Sequence, residues 1–221
     1  MRLTPSVKEK YPELAIGNAV VRNVKVEKTR KELEDRKKSV VKEVQEKYGS
    51  KPILEIPEVR AYRDFYKVMG VDPTKVRPPI EYLIRKAMSG SFLSINTLVD
   101  SCLLASVQHS AIVSVYDLDK TLGDLIVDLA KGSESFQLID GKTVTPSESE
   151  VLLRDGEKIL TAYALGDARA GMVTPETRSA LLIAWNAPGI DRGQVEAALN
   201  TTVEYVKEFC QGTVEKKEIL T

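Results

Sequence analysis

Cysteine and histidine are almost missing from this chain: Cys102 and Cys210 are the only thiols and His109 is the only imidazole. Neither a four-cysteine nor a two-cysteine, two-histidine zinc centre can be assembled from them, and a secreted scaffold held by disulfides is excluded as well. No apolar run approaches the ~20 residues of a membrane helix, and Met1 to Lys10 lack the apolar stretch of a signal peptide. The expected location is the cytoplasm. Net charge is missing too, since 32 basic residues cancel 32 acidic ones, which argues against a histone-like or tail-driven polyanion binder. Asparagine and glutamine are scarce, five of each, a composition that leans toward thermophilic proteins. Walker A, G-x-G-x-x-G, G-x-S-x-G and H-E-x-x-H motifs are all absent, as are internal repeats and low-complexity tracts. What remains is 221 residues, 43% hydrophobic and 29% charged, enough to bury a sizeable core.

Charge is unevenly distributed along the chain. Residues 1–89 carry 21 basic and 13 acidic side chains, net +8; residues 90–150 carry 3 and 9, net −6; residues 151–221 carry 8 and 10, net −2. The first third is either a surface able to attract phosphate or simply a set of lysine-rich solvated helix faces.

Val20, Val21, Val24 and Val26 give a modest strand signal over residues 14–26. Residues 27–48 hold no Gly or Pro, and Val26, Leu33 and Val40 recur seven apart, joined by Val44 and Tyr48, so a long charged helix ending at Gly49 is predicted. Its narrow apolar stripe suits a seam on the rest of its own domain, a coiled coil, or a docking face for a regulatory partner. Two short helices are predicted at residues 58–69 and 79–89, closed by Gly70 and Gly90, with Pro78 and Pro79 leading into the second. Residues 94–107 read as a mostly buried helix with Ser94 as N-cap; Asn96, Asp100 and Ser106 on it must be hydrogen-bonded, either tying loops down or lining a pocket. From Ile112 the chain turns to strands, at residues 112–116, 124–130, 136–139, 150–153, 158–164 and 179–186. Residues 191–209, with the Asp191 to Gln194 spacing of a capping box, close the fold as an amphipathic helix. The predicted class is α+β: a sheet-rich core, N-terminal helices packed on it, and a closing C-terminal helix.

His109 sits in a loop position that favours a solvent-exposed or hydrogen-bonded ring over a catalytic one. Cys102, inside the apolar helix, reads as an inert buried thiol. Asp117 and Asp119 suit either a metal or, more simply, the capping of the turn that follows.

Three segments carry a family resemblance. Asn96 to Lys120 (NTLVDSCLLASVQHSAIVSVYDLDK) is similar, without a gap, to the stretch of the bacterial phenylalanyl-tRNA synthetase β subunit that runs V-V-D-x-T-N and then P-L-H-A-F-D-L-D. Asp124 to Gly141 (DLIVDLAKGSESFQLIDG) and Thr174 to Trp185 (TPETRSALLIAW) resemble its next two motifs in order. That region is the B3/B4 editing domain, and Arg77-Pro78-Pro79-x-Glu81 resembles a pattern of freestanding B3/B4 proteins. The resemblance covers residues 58–209. It divides the chain into an N-terminal extension, residues 1–57, and a B3/B4-like domain, residues 58–221.

The resemblance implies hydrolysis of the ester joining a wrong or non-protein amino acid to tRNA, without a covalent nucleophile, a metal or a cofactor. It implies the 3′ acceptor end of tRNA and the aminoacyl group as partners, and neither DNA nor a membrane. An acidic residue of the family falls on Asp167, which becomes the candidate catalytic group, orienting a water. The family's histidine falls on Ser114 and its asparagine on Leu103, and Trp185 stands where the family has a small residue. Candidate substrate and tRNA contacts are Arg77, Glu81, Asn96, Asp100, Ser114, Arg169 and Trp185. Each has a plainer reading: Arg77 and Glu81 as a helix pair, Asn96 and Asp100 as caps, Asp167 and Arg169 as a loop network, Trp185 as core. A non-catalytic tRNA- or amino-acid-binding module of the same fold is the alternative to the enzyme.

Overall fold

In the computed structural model, which describes residues 1–221, the first half runs β1 (Arg2–Leu3), α1 (Pro5–Lys10), β2 (Ile16–Arg22), α2 (Lys31–Tyr48), α3 (Pro57–Val68), α4 (Pro79–Met88) and α5 (Thr97–His109). The second half runs β3 (Ile112–Asp117), β4 (Ile126–Leu129), β5 (Phe136–Gln137), β6 (Thr143–Val144), β7 (Val151–Arg154), β8 (Ile159–Ala162), β9 (Gly166–Asp167), β10 (Ala180–Trp185), α6 (Arg192–Cys210) and β11 (Thr213–Leu220). The α+β class is as expected from the sequence.

Two sheets organise these elements. One is antiparallel with strand order β11-β2-β10-β3, and the other has order β1-β4-β7-β8-β9, with only its β1–β4 pair parallel. Every residue of β10 (ALLIAW) is buried, the unbroken apolar pattern of a strand covered on both faces. Gly17 of β2 faces Val195 and Leu199 of α6, so its register partner Ala184 shares that helical face. Trp185 and its partner Ile112, and by alternation Ser114 and Tyr116 of β3, therefore point the other way, toward the second sheet. Tyr163, just after β8, meets Trp185 there edge-on at 5.8 Å between ring centres.

The helix predicted over residues 27–48 begins at Lys31: the Glu27 carbonyl, which a helix starting there would offer to Lys31 N–H, instead accepts from Thr97 N–H at 2.9 Å, and Glu27 N–H donates to Thr97 Oγ1 at 3.0 Å. Its stripe of Leu33, Val40, Val44 and Tyr48 is buried against α4 and α5, which leaves no apolar docking face on α2 for a partner. Lys37, on the same stripe, is buried as well. The N-cap of α5 is Asn96 rather than Ser94: its Oδ1 accepts from the N–H groups of Leu98 and Val99 at 3.1 and 2.9 Å, while Ser94 is exposed. The Asp191–Gln194 capping box of α6 forms as predicted.

One core of 56 buried residues extends from Leu3 to Cys210 and draws on both sheets and all the long helices. The turn from α6 into β11 depends on Gly212, where an added Cβ would lie 2.5 Å from Val21 Cγ1. β11 then completes the sheet beside β2, so the last eight-residue strand is held by a strand from the chain's first 22 residues.

Candidate functional site

β3 is an edge strand of one sheet and β9 an edge strand of the other, the latter touched on its outer side by Ile139 N–H, which donates to Asp167 O at 3.3 Å. Between these edges and α5 lies a partly open chamber of about 220 Å³. Its walls are Val99 and Leu103 of α5, Val113 of β3, and Met172 and Val173 after the 3-10 turn Arg169–Gly171. Ile95 and Ile139, 47% and 49% exposed, form its rim. A narrower slot of about 60 Å³ adjoins it, lined by Thr161, Tyr163, Trp185 and Pro79. Ser114 and Asp167 line both spaces, so they mark the junction between an apolar chamber and a narrow slot whose polar side chains are Ser114, Thr161 and Asp167.

Asp167 is placed by β9, where it pairs with Thr161 of β8. The residue before it, Gly166, has φ +110° with nothing within 4 Å of an added Cβ, so glycine is needed there for the backbone and not for space. Tyr116 Oη donates to Asp167 Oδ1 at 2.8 Å. Burial pushes the Asp167 carboxyl above the usual carboxylate range, against the opposing effect of hydrogen bonds from Tyr116 and Thr161. Burial, and then the charge of Asp167, push the Tyr116 phenol well above its ordinary value, so it stays a donor at neutral pH. A carboxylate with raised proton affinity at the mouth of a water-sized slot is a competent general base.

Four of the residues picked out from sequence gather here: Asn96, Ser114 and Asp167 line the chamber, and Ser114, Asp167 and Trp185 line the slot. Asn96 is occupied through its oxygen by the α5 cap. Arg77 is exposed, and stands two residues before Pro79 at the edge of the slot. The other three lie elsewhere. Glu81 is buried and holds Arg63 at 2.7 Å and Arg85 at 3.2 Å, tying α3 to α4, so its helix-pair partner is Arg85 and not Arg77. Asp100 is buried against Lys37 Nζ at 2.7 Å and accepts from the Ile95 N–H at 2.9 Å; it supports the rim without lining the chamber. Arg169 borders a separate open cleft of about 640 Å³ beside Arg154 and Lys158, which are bound to Asp128 at 2.5 Å and Asp155 at 3.0 Å.

The remaining candidates are also accounted for. His109 shares a 2.8 Å hydrogen bond with Thr201 of α6. Asp117 caps the turn after β3, accepting from Asp119 N at 3.2 Å and Thr177 Oγ1 at 2.7 Å. Cys102 lines the chamber, its thiol raised well above its ordinary value by burial. Thr161, Tyr116 and Lys37, not among the residues picked out from sequence, belong to the site or its support. The readable signals were a lone threonine in the apolar β8 (ILTA), a tyrosine in step with Ser114 on β3, and a lysine four residues after Leu33 on an otherwise apolar stripe.

The phenylalanine–tRNA ligase β subunit of Rhodopseudomonas palustris is 26% identical over 166 residues, 65% of this chain and 21% of that protein. The corresponding subunit of Neisseria meningitidis serogroup B is 30% identical over 102 residues, 46% of this chain and 13% of that one. The chain thus spans about a fifth or less of the length of these relatives. In structure it is similar to an N-terminal fragment of the phenylalanyl-tRNA synthetase β subunit from Pyrococcus horikoshii, with a TM-score of 0.51 and 12% identity, over 100% of this chain and 53% of that one. At that identity the likeness establishes the fold alone. The family described as the B3/4 domain matches residues 61–211, which include β3, β9, β10 and α5, and on that match the chain belongs to the B3/4 domain family.

Proposed function

We propose that the protein hydrolyses the ester of a mischarged or non-protein aminoacyl-tRNA in trans. The observation that carries this reading is the junction, at Asp167 and Ser114, of an apolar chamber with a slot into which Ser114, Thr161 and Asp167 bring polar groups. A chamber of about 220 Å³ is smaller than the ~300 Å³ at which small-molecule pockets begin. It suits one amino-acid side chain and leaves the terminal adenosine outside. The slot, at about 60 Å³, exceeds the ~10–15 Å³ a water requires. A water there gives a proton to Asp167 while its oxygen attacks the ester carbonyl; the hydroxyls of Ser114 and Thr161 donate to the oxyanion or hold the water. The proton then passes from Asp167 to the departing 3′-oxygen of the tRNA. No covalent intermediate is needed, in keeping with a site whose one thiol is buried and held protonated.

The tRNA backbone is assigned to the basic first third. Lys38 and Lys42 of α2 border an open groove of about 420 Å³ with Phe92, and Ser94 on its edge leads directly to Ile95 and Asn96 on the chamber rim. Binding through such lysines weakens steeply with salt, and an affinity insensitive to salt would remove tRNA from that face. The cytoplasm, where tRNA is charged, is the matching location. No helix is long and apolar enough to cross a membrane.

One observation favours a second reading. Ser114 stands where the family pattern quoted above has a histidine, and a hydroxyl is no base near neutral pH; a module that binds aminoacyl-tRNA without cleaving it fits that replacement. The deciding experiment is ester release across tRNAs charged with correct, incorrect and non-protein amino acids. Release above the spontaneous rate from at least one of them establishes the deacylase. No release, with tRNA still bound, establishes the binding module.

A further inference from the structure

Resting on the reading of the site given above, we infer that the aminoacyl side chain accepted by the chamber is large, apolar and free of hydroxyl groups, of the leucine, isoleucine, methionine or phenylalanine kind. Tyrosyl, threonyl and seryl esters are selected against.

The inference comes from where the polar atoms are and what already occupies them. Asp167 and Ser114 stand at the junction with the slot, which is where the ester must lie if water attacks from the slot. The side chain then extends away from that junction, toward Val99, Leu103, Ile139, Met172 and Val173. Along this wall no side-chain oxygen or nitrogen is free to receive a hydroxyl. Asn96 Oδ1 is filled by the N–H groups of Leu98 and Val99. Tyr116 Oη, its one proton given to Asp167 at 2.8 Å, lies beside that carboxylate at the junction and not along this wall. Cys102, the other group with hydrogen-bonding capacity, is a thiol, a weak donor. The amide nitrogen of Asn96 remains, but it belongs to the rim beside exposed Ile95, at the start of α5 and one to two turns before Val99 and Leu103. A phenol or aliphatic hydroxyl carried into the chamber is therefore desolvated without a side-chain partner.

Size sets the lower limit. A cavity of ~150 Å³ admits a benzene ring, so about 220 Å³ holds a phenyl or branched butyl group, while an alanine methyl leaves most of the wall uncovered. An apolar pocket distinguishes one methylene by roughly 10- to 200-fold and rejects a hydroxylated isostere by roughly 100-fold. Those are the selectivities expected here.

Two measurements on the full chain separate this inference from the deacylase reading. The first is calorimetric binding of 3′-aminoacylamido-3′-deoxyadenosines, whose amide cannot be cleaved as an ester. The expected result is phenylalanyl tighter than tyrosyl, and valyl tighter than threonyl, by roughly 100-fold, with leucyl tighter than alanyl. Tyrosyl or threonyl binding as tightly as its apolar partner overturns the inference, and so does failure of every analogue to bind. The second is hydrolysis of the matching aminoacyl-tRNAs. Selective binding without hydrolysis leaves the side-chain assignment standing and removes the deacylase; equal hydrolysis of tyrosyl and phenylalanyl esters does the reverse. Leu103→Phe, which fills the chamber from α5, is expected to lose the leucyl and phenylalanyl analogues and keep the alanyl one. Ile139→Ala, at the exposed rim, provides a variant that does not strain the core and is expected to weaken the large apolar analogues by no more than 10-fold while preserving their order.

Discussion

Replacing Lys37 with methionine removes the only cation facing a buried carboxylate. Lys37 Nζ lies 2.7 Å from Asp100 Oδ2, with the two side chains 5% and 0% exposed, and its other partner, Glu34, is 40% exposed. Breaking such a pair from one side costs about 3–5 kcal/mol, because the remaining charge has no water to turn to. For a chain of this size each kcal/mol shifts Tm by roughly 2–4 °C, so Lys37→Met should melt roughly 6–20 °C below the parent. Asp100 also accepts from the Ile95 N–H, so the companion change must keep an oxygen: Asp100→Asn does. The double variant is neutral at both positions and should recover most of the loss. Burial already pushes the Asp100 carboxyl up, and Lys37 opposes that push. Without Lys37 the folded protein binds a proton there more tightly than the unfolded chain. The deficit is then full above the folded pKa and shrinks as pH falls through it. Urea titrations at several pH values read both effects. A cost under about 1 kcal/mol, or a double variant no better than the single, refutes the claim that this pair is desolvated and anchors the chamber rim to α2.

Other perturbations test other parts of the structure. Asp167→Asn keeps an acceptor for Tyr116 but removes a carboxylate whose folded pKa is raised. Such a group costs stability above its folded pKa, and the cost lifts as pH falls, so the variant should be as stable as the parent or more so at pH 7, by thermal melting, and the difference should close in mild acid. Asp155 behaves oppositely. Despite its burial, the N–H groups of Glu157, Leu122 and Lys158 hold it down at about 2. Asp155→Ala should cost about 2 kcal/mol at pH 7, a penalty that disappears as the pH falls from the ordinary carboxylate range toward 2. Gly212→Ala forces a Cβ to within 2.5 Å of Val21. It should destabilise by about 1–3 kcal/mol and raise amide exchange first in β11.

Legibility from the sequence followed the range of the interactions. The helices α3, α4 and α6 rest on local signals, a proline start, a terminal glycine and a capping box, and were readable. β11 (TVEKKEIL) was not: an edge strand needs only one partner and keeps lysines outward, so it shows no apolar alternation. β9 has two residues, too few to carry any period, yet it holds Asp167. Among the candidate residues, Asn96, Ser114, Asp167 and Trp185 lie around the chamber and slot. Glu81 and Asp100 looked equally suitable, and were misplaced because their partners, Arg63 and Lys37, stand 18 and 63 residues away. A buried carboxylate in a sequence declares that it has a partner, without saying whether that partner is a substrate or a lysine of another helix. Thr161 escaped notice because only the β8–β9 register brings it to Asp167.

The most direct test of the central claim, that Asp167 activates water for ester hydrolysis, is single-turnover release of amino acid from a substrate aminoacyl-tRNA by the parent and by Asp167→Asn, at matched tRNA occupancy and with folding verified by melting. The account predicts a loss of roughly 10²- to 10⁴-fold in the rate, the usual contribution of a general base, with tRNA affinity retained. Release at the parent rate from the folded variant would contradict it.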